Sequence, residues 1–319
     1  MIATRSRIFI ALLVPFLLAV FVLVVTYYLS VQQGASQFII EYRVFRALYS
    51  MLAGAVLAAS GCFLQSSLRN PLVDHYILGV GSGAVFSTYI SIVLSGYNPL
   101  TASLAAVLGG LAALALTISI AEKLSGSEVA YVLSGIGVTT LFSGLSVVAS
   151  YYAVARYPYA TLLLVGSFTT SRRALLYYVL APMLLATAGY FYLSKKLNTL
   201  VLGDDYAKQL GVDPRLTRLT SSLIAGASSS IVVGLFGLIG FVGLIAPHIS
   251  RLLLKTSDNR LVAPVSALVG MLLLFATDQF SRAIAAPMWG ELPAGAIVSA
   301  FGAPFFLALL VSRLSVRKT

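Results

Sequence analysis

The sequence predicts an all-α polytopic membrane protein, with ten transmembrane helices in one domain over residues 1–319. Two observations carry that prediction. Of the 319 residues, 59% are hydrophobic and only 10% are charged, whereas soluble domains carry about 25% charged residues. So little charge cannot cover a water-facing surface, which excludes a large soluble α/β core. The apolar residues also fall into runs of about 20, the length a helix needs to cross a hydrocarbon core about 30 Å thick.

The first run, about 8–30, lies in "MIATRSRIFIALLVPFLLAVFVLVV" and resembles a signal peptide. No clear small-residue cleavage site follows, so it is expected to stay as the first span. The next spans are expected near 44–66, 76–95, 99–121, 129–153 and 174–194. Residues 217–254 form one long, predominantly apolar run. As one helix they would run about 57 Å, nearly twice the bilayer core. The run must therefore fold back, and Gly234, Gly237, Gly240 and Gly243 mark where, giving spans at 217–235 and 239–254. The last two are expected at 261–281 and 291–311.

The net charge is +11. In a chain of this hydropathy that charge reads as the positive-inside bias and attraction to anionic membrane lipid, with no nucleic-acid partner. Ten spans place both termini on one side. That side collects fifteen of the 21 Lys and Arg residues; the other holds Arg43, Arg46, Arg156, Arg172, Arg173 and Arg282. Both termini are thus expected in the cytoplasm, with the chain in the cell membrane. Tyrosines such as Tyr97, Tyr151, Tyr152 and Tyr177 gather toward the outer ends, as in an interfacial belt.

The chain offers little for covalent chemistry. Cys62 is the single cysteine, which excludes an internal disulfide and a cysteine-based metal site. His75 and His248 lie at cytoplasmic ends, so no spanning histidine is expected to ligate haem. "GVGSGA" at 79–84 lacks the ending of a phosphate loop and reads as tight helix packing. No cofactor is expected.

Three polar stretches stand out. "LRNPLVDHYILGVGSGA", 68–84, concentrates turn-forming residues in a cytoplasmic connection. "KKLNTLVLGDDYAKQLGVDPRLTR", 195–218, contains a short helix. Its acids Asp204 and Asp205 suit the first turn, Gly211 caps its end, Pro214 bars continuation, and Ala207, Leu210 and Val212 give it an apolar face. A loop on the headgroups and a docking helix for a cytoplasmic partner fit this stretch equally. Near the outer surface, Asp278 is at helical spacing from Arg282 and is expected to pair with it. Arg43, Arg46 and Arg282 form either an outward basic patch for an acidic partner or headgroup anchors.

Four stretches, "ASGCFLQSSLRNPLVDHYILGVGSGA", "LNTLVLGDDYAKQLGVD", "GLIGFVGLIAPHISRLL" and "ELPAGAIVSAFGAPFFLALL", resemble the signature segments of the FecCD-type permeases. The resemblance runs in order from about residue 40 to 312. It implies the ten-helix fold of the cobalamin permease and a type II ABC importer. A homodimer of such subunits forms the pathway, two cytoplasmic ATPase subunits bind the ATP, and an extracytoplasmic binding protein delivers the ligand. The permease itself is then no enzyme.

By the same resemblance, Gly203, Asp204, Asp205, Ala207, Leu210 and Gly211 belong to the segment that couples to the ATPase. Arg43, Arg46 and Arg282 match positions that dock the binding protein. Asn70 and Leu72 match a cytoplasmic gate, and Ser127 and Glu128 lie nearest a second one. A charged Glu128 departs from the family pattern, as does His75 where relatives carry proline. The implied cargo is an iron chelate (siderophore or haem) or cobalamin, with molybdate or tungstate as the alternative. An ion-coupled secondary transporter would need ionisable groups clustered at mid-membrane, and a membrane-embedded enzyme would need converging catalytic side chains. Neither pattern is visible.

Overall fold

The computed structural model describes residues 37–124, 126–285 and 290–316. The expected span at 8–30 lies outside the described residues. The rest is helical, with no strand among the described residues. In order come α1 (Gln37–Ser67), α2 (Val80–Ser95), α3 (Pro99–Leu124), α4 (Glu128–Arg156) and α5 (Leu176–Val201). A short α6 (Asp204–Gln209) precedes α7 (Pro214–Phe236), α8 (Val242–Leu254), α9 (Asn259–Phe280) and α10 (Ala294–Val316). Two 3-10 turns, Pro158–Leu164 and Arg173–Leu175, join α4 to α5, and a π-turn, Ser281–Ala285, extends α9. Each expected span from residue 44 onward has its helix. Among the described residues, six helices have the length and apolarity to cross a membrane, while α2, α8 and the start of α10 are shorter apolar helices.

α1 is the hub, packed against α5, α7, α8 and α9. Its composition explains this. "YSMLAGAVLAASGCFLQSS" sets small residues on every face, so neighbours approach closely where lipid offers no hydrophobic drive for helix association. A Cβ added at Gly54 would lie 2.1 Å from the carbonyl oxygen of Gly270 on α9. One added at Gly61 would lie 1.9 Å from the carbonyl oxygen of Gly243 on α8. Below that contact, Gln65 donates to the Gly243 carbonyl at 3.1 Å and accepts from Arg251 at 2.6 Å.

The long apolar run does fold back. Gly237, at φ 84°, ends α7, and α8 begins after Phe241 at φ 63°. Gly234 and Gly243 lie inside the flanking helices and serve close packing instead of the reversal. At 13 residues, α8 is only about 20 Å long, short of the bilayer core. The reversal is therefore buried in the bundle, where irregular backbone must find protein partners. It does: Leu238 donates to Leu163 at 2.9 Å, and Ser167 donates to Phe236 at 2.8 Å.

The connection 68–79, expected as a cytoplasmic connection leading into a span at 76, is a turn packed inside the bundle. Asn70, Asp74 and His75 are fully buried, and α2 starts four residues later than the apolar pattern suggested. Side chains replace the helix in satisfying the backbone. Asn70 Oδ1 accepts from Leu72 N at 2.9 Å, and Asp74 Oδ1 accepts from Ile77 N at 2.8 Å. These local bonds compete with helix formation. Long-range bonds then hold the turn inside. His75 Nε2 donates to the Ile239 carbonyl at 3.0 Å, and Thr117 donates to the Leu78 carbonyl at 2.8 Å.

Candidate functional site

The short helix in the 195–218 segment forms as its residues dictate. Asp204 and Asp205 occupy the first turn of α6. At its end Gly211 adopts φ 75°, with Val212 N donating to Ala207 O at 2.9 Å and Gly211 N to Lys208 O at 3.0 Å. This reciprocal pair of bonds closes the helix on a left-handed glycine. Asp213 then caps α7, accepting from Arg215 N and Leu216 N, with Pro214 in its first turn.

The faces of α6 divide the residues assigned to coupling. Ala207 is fully buried in the core, so it seats the helix and cannot meet a partner, contrary to its place on the expected docking face. Leu210 and Tyr206 are exposed at 55% and 48%, and Asp205 at 95%. Those three form the outward surface, with Lys208 3.7 Å from Asp205. Gly203, at φ 122°, lets the chain turn into the helix.

Asp204 faces inward to a basic clamp. Arg218 of α7 donates Nη1 and Nη2 to its two carboxylate oxygens at 3.0 and 2.6 Å. Arg69 Nη2 lies 3.5 Å from Asp204 Oδ1. The Arg218 hydrogen bonds hold the Asp204 carboxyl below the usual carboxylate range. Arg218 also donates Nε to the carbonyl of Ser67, the last residue of α1, at 3.2 Å. The clamp thus joins α6 and α7 to the start of the buried 68–79 turn. Sequence reasoning passed over Arg218. The signal was present: two arginines open α7, where the helix dipole disfavours cations unless an acid stands near.

The residues assigned to gates differ in burial. Asn70 and Leu72 sit together in the buried turn, Leu72 at 6% exposure. Ser127 is exposed and caps α4 by accepting from Ala130 N at 3.2 Å. Glu128 begins α4, and its side chain lies outside the described residues. At the same end of the bundle, Asn198 donates to Asp258 at 2.6 Å and accepts from Asn259 N at 2.8 Å. The Arg260 hydrogen bonds hold the Asp258 carboxyl below its ordinary range.

The opposite end corrects the expected basic patch. Arg46 is 1% exposed and does not face outward. Its Nε and Nη2 donate to Asp278 at 2.9–3.1 Å, and its Nη1 donates to Glu291 at 2.8 Å and Tyr42 at 3.0 Å. Asp278 is fully buried and pairs directly with Arg46, a partner that the local spacing did not indicate. Arg282 still contributes to the positive field on Asp278. Two of the three arginines, Arg43 and Arg282, are half-buried and remain at this surface. Tyr157 stacks on Tyr97 at 4.5 Å, with Tyr159 tilted against it at 5.7 Å.

Comparison with known proteins places this arrangement. The model of the FecCD transport family matches residues 7–312. The vitamin B12 import system permease protein BtuC of Vibrio cholerae is 36% identical over 288 residues, covering 86% of this chain and 83% of the relative. The Fe(3+)-citrate import system permease protein YfmE of Bacillus subtilis is 33% identical over 294 residues, covering 90% and 86%. A solved structure described as an inward-facing metal-chelate type ABC transporter superposes with a TM-score of 0.76 at 30% identity. It covers 93% of this chain and 99% of that one. An all-helical bundle with these spans, matched over residues 7–312, makes this chain a member of the FecCD transport family.

Proposed function

We propose that the chain, the permease subunit of an ABC importer, forms a homodimeric pathway for an iron chelate or cobalamin and is driven by two partner ATPases. The observation that carries this is the fold shared with a metal-chelate type ABC transporter over 93% of the chain. Relatives named for vitamin B12 and ferric citrate import support this cargo class. The permease performs no covalent step and needs only weak ligand contact, since a tight site would trap its cargo. The end bearing α6 faces the cytoplasm, where most of the Lys and Arg residues gather. There α6 meets the ATPase through Tyr206, Leu210 and Asp205, and ATP-driven closure of the ATPases moves it. The turn holding Asn70 and Leu72 gates the pathway, with Ser127 and Glu128 at the start of α4 as its second element.

The test is uptake into proteoliposomes by the chain with its co-expressed ATPase and binding protein. Ferric siderophore, haem, cobalamin and molybdate form the panel. ATP-dependent uptake of one ligand that requires both partners is expected. Failure of any ATPase to assemble with the chain would overturn the importer reading. Leu210→Arg is expected to remove the ATPase on co-purification, since it puts a charge on the apolar part of the outward surface that Leu210 and Tyr206 form.

At the other end, Arg43 and Arg282 are assigned to binding-protein docking. Arg43→Glu is expected to weaken docking several-fold at low salt and less at 0.5 M salt, where screening is nearly complete. Docking unchanged at low salt would return Arg43 to headgroup anchoring.

A further inference from the structure

The structure assigns Arg218 as the positioning residue that transmits movement of α6 to the buried 68–79 turn; this rests on reading α6 as the ATPase-coupling helix. Three observations carry it. First, α6 has weak apolar anchorage. It is six residues long and buries one side chain, Ala207. Packing alone would let so short a helix shift without dragging its neighbours.

Second, the polar anchorage is strong and directional. Arg218 grips both oxygens of Asp204 at 3.0 and 2.6 Å. A bidentate guanidinium–carboxylate pair fixes orientation as well as distance, which a point charge does not. Third, the same guanidinium also donates from Nε to the Ser67 carbonyl at 3.2 Å. Ser67 ends α1, and its carbonyl belongs to the last turn, whose acceptors lack helical donors. Arg69, two residues on, sits at φ 51° and its Nη2 lies 3.5 Å from Asp204 Oδ1, the oxygen that Arg218 Nη2 also binds. Asp204 is therefore held between α7 and the first residues of the turn. Any displacement of α6 either carries Ser67 and Arg69 with it or breaks a charge-assisted bond.

A staple that served stability alone would give a different response from a transmission link, and the two are separable. The readout is the labelling rate of Pro71→Cys, in the turn, by a membrane-impermeant maleimide. It is measured on the full complex with ATPase and binding protein, with and without ATP. Native Cys62 is buried and gives little background. With Arg218 present, ATP is expected to change the rate at least fivefold. With Arg218→Gln, the change is expected to fall within twofold while the ATPase stays bound and hydrolyses ATP.

Arg218→Lys guards against a folding defect. It keeps the charge beside Asp204 but cannot make the fork and the Ser67 contact together, so an intermediate response is expected. A full ATP response in either Arg218 variant overturns the inference. If Leu210→Arg removes the ATPase while Arg218→Gln responds in full, the inference fails and the coupling-helix reading survives. If Leu210→Arg leaves the ATPase bound and the response intact, the coupling-helix reading itself fails. No ATP response with Arg218 present overturns the gate reading of the turn.

Discussion

Replacing Asp278 with alanine is expected to destabilise the protein by about 3–5 kcal/mol, as removal of one partner from a buried ion pair does elsewhere. Arg46 and Asp278 are each about 1% exposed, joined at 2.9 Å between α1 and α9. Without Asp278 the guanidinium keeps Glu291 at 2.8 Å, but that carboxylate is 41% exposed and held on the segment before α10. It offsets only part of the cost of a buried charge. The midpoint of thermal unfolding in detergent should fall by roughly 6–10 °C. The double variant Arg46→Met, Asp278→Leu should recover at least half of the loss, because it buries no charge. A double variant no better than Asp278→Ala alone would mean that shape, and not charge, dominates this contact.

The second large effect is expected at Gly61. Gly61→Val would drive α1 and α8 apart, because a Cβ there lies 1.9 Å from the Gly243 carbonyl oxygen and 2.4 Å from its Cα. The obstacle is backbone, so no rotamer change relieves it. Overpacking costs about 1–3 kcal/mol where side chains can give way; here about 3 kcal/mol or more is expected. The same move withdraws the Gly243 carbonyl from Gln65. Loss of monodisperse protein on size exclusion is the readout. A variant with an unchanged elution profile and unfolding midpoint would show that α8 tolerates displacement.

How much of this was legible in the sequence depends on which interactions set each feature. The reversal near Gly237 was legible because the 38 residues 217–254, a largely apolar run, exceed any bilayer as one helix. The ends of α6 were legible because Asp204, Gly211 and Pro214 act on their own neighbourhood. The burial of 68–79 was not, since polar and turn-forming residues ordinarily mark a surface loop. Only contacts made across the bundle, such as His75 to Ile239, reverse that meaning. The partner of Asp278 was missed for the same reason. Arg282 is four residues away on the same chain segment, whereas Arg46 is separated by 232 residues and is brought near only by the crossing of α1 and α9. Arg218 belongs to both cases, with a local hint in the helix dipole and a partner set fixed by tertiary structure.

The buried turn also orders the assembly of the molecule. Residues 68–79 emerge early in synthesis, yet the carbonyl that receives His75 lies 164 residues later. Until the reversal after α7 exists, this turn carries polar side chains with no place in lipid. It must wait in water or at the interface, and α1 cannot take up its final neighbours before α8 and α9 arrive to meet Gly61 and Gly54. The central helix is thus among the first made and the last completed. Nascent chains truncated before Ile239 should remain protease-sensitive near Asn70, and chains extended past α9 should become resistant there.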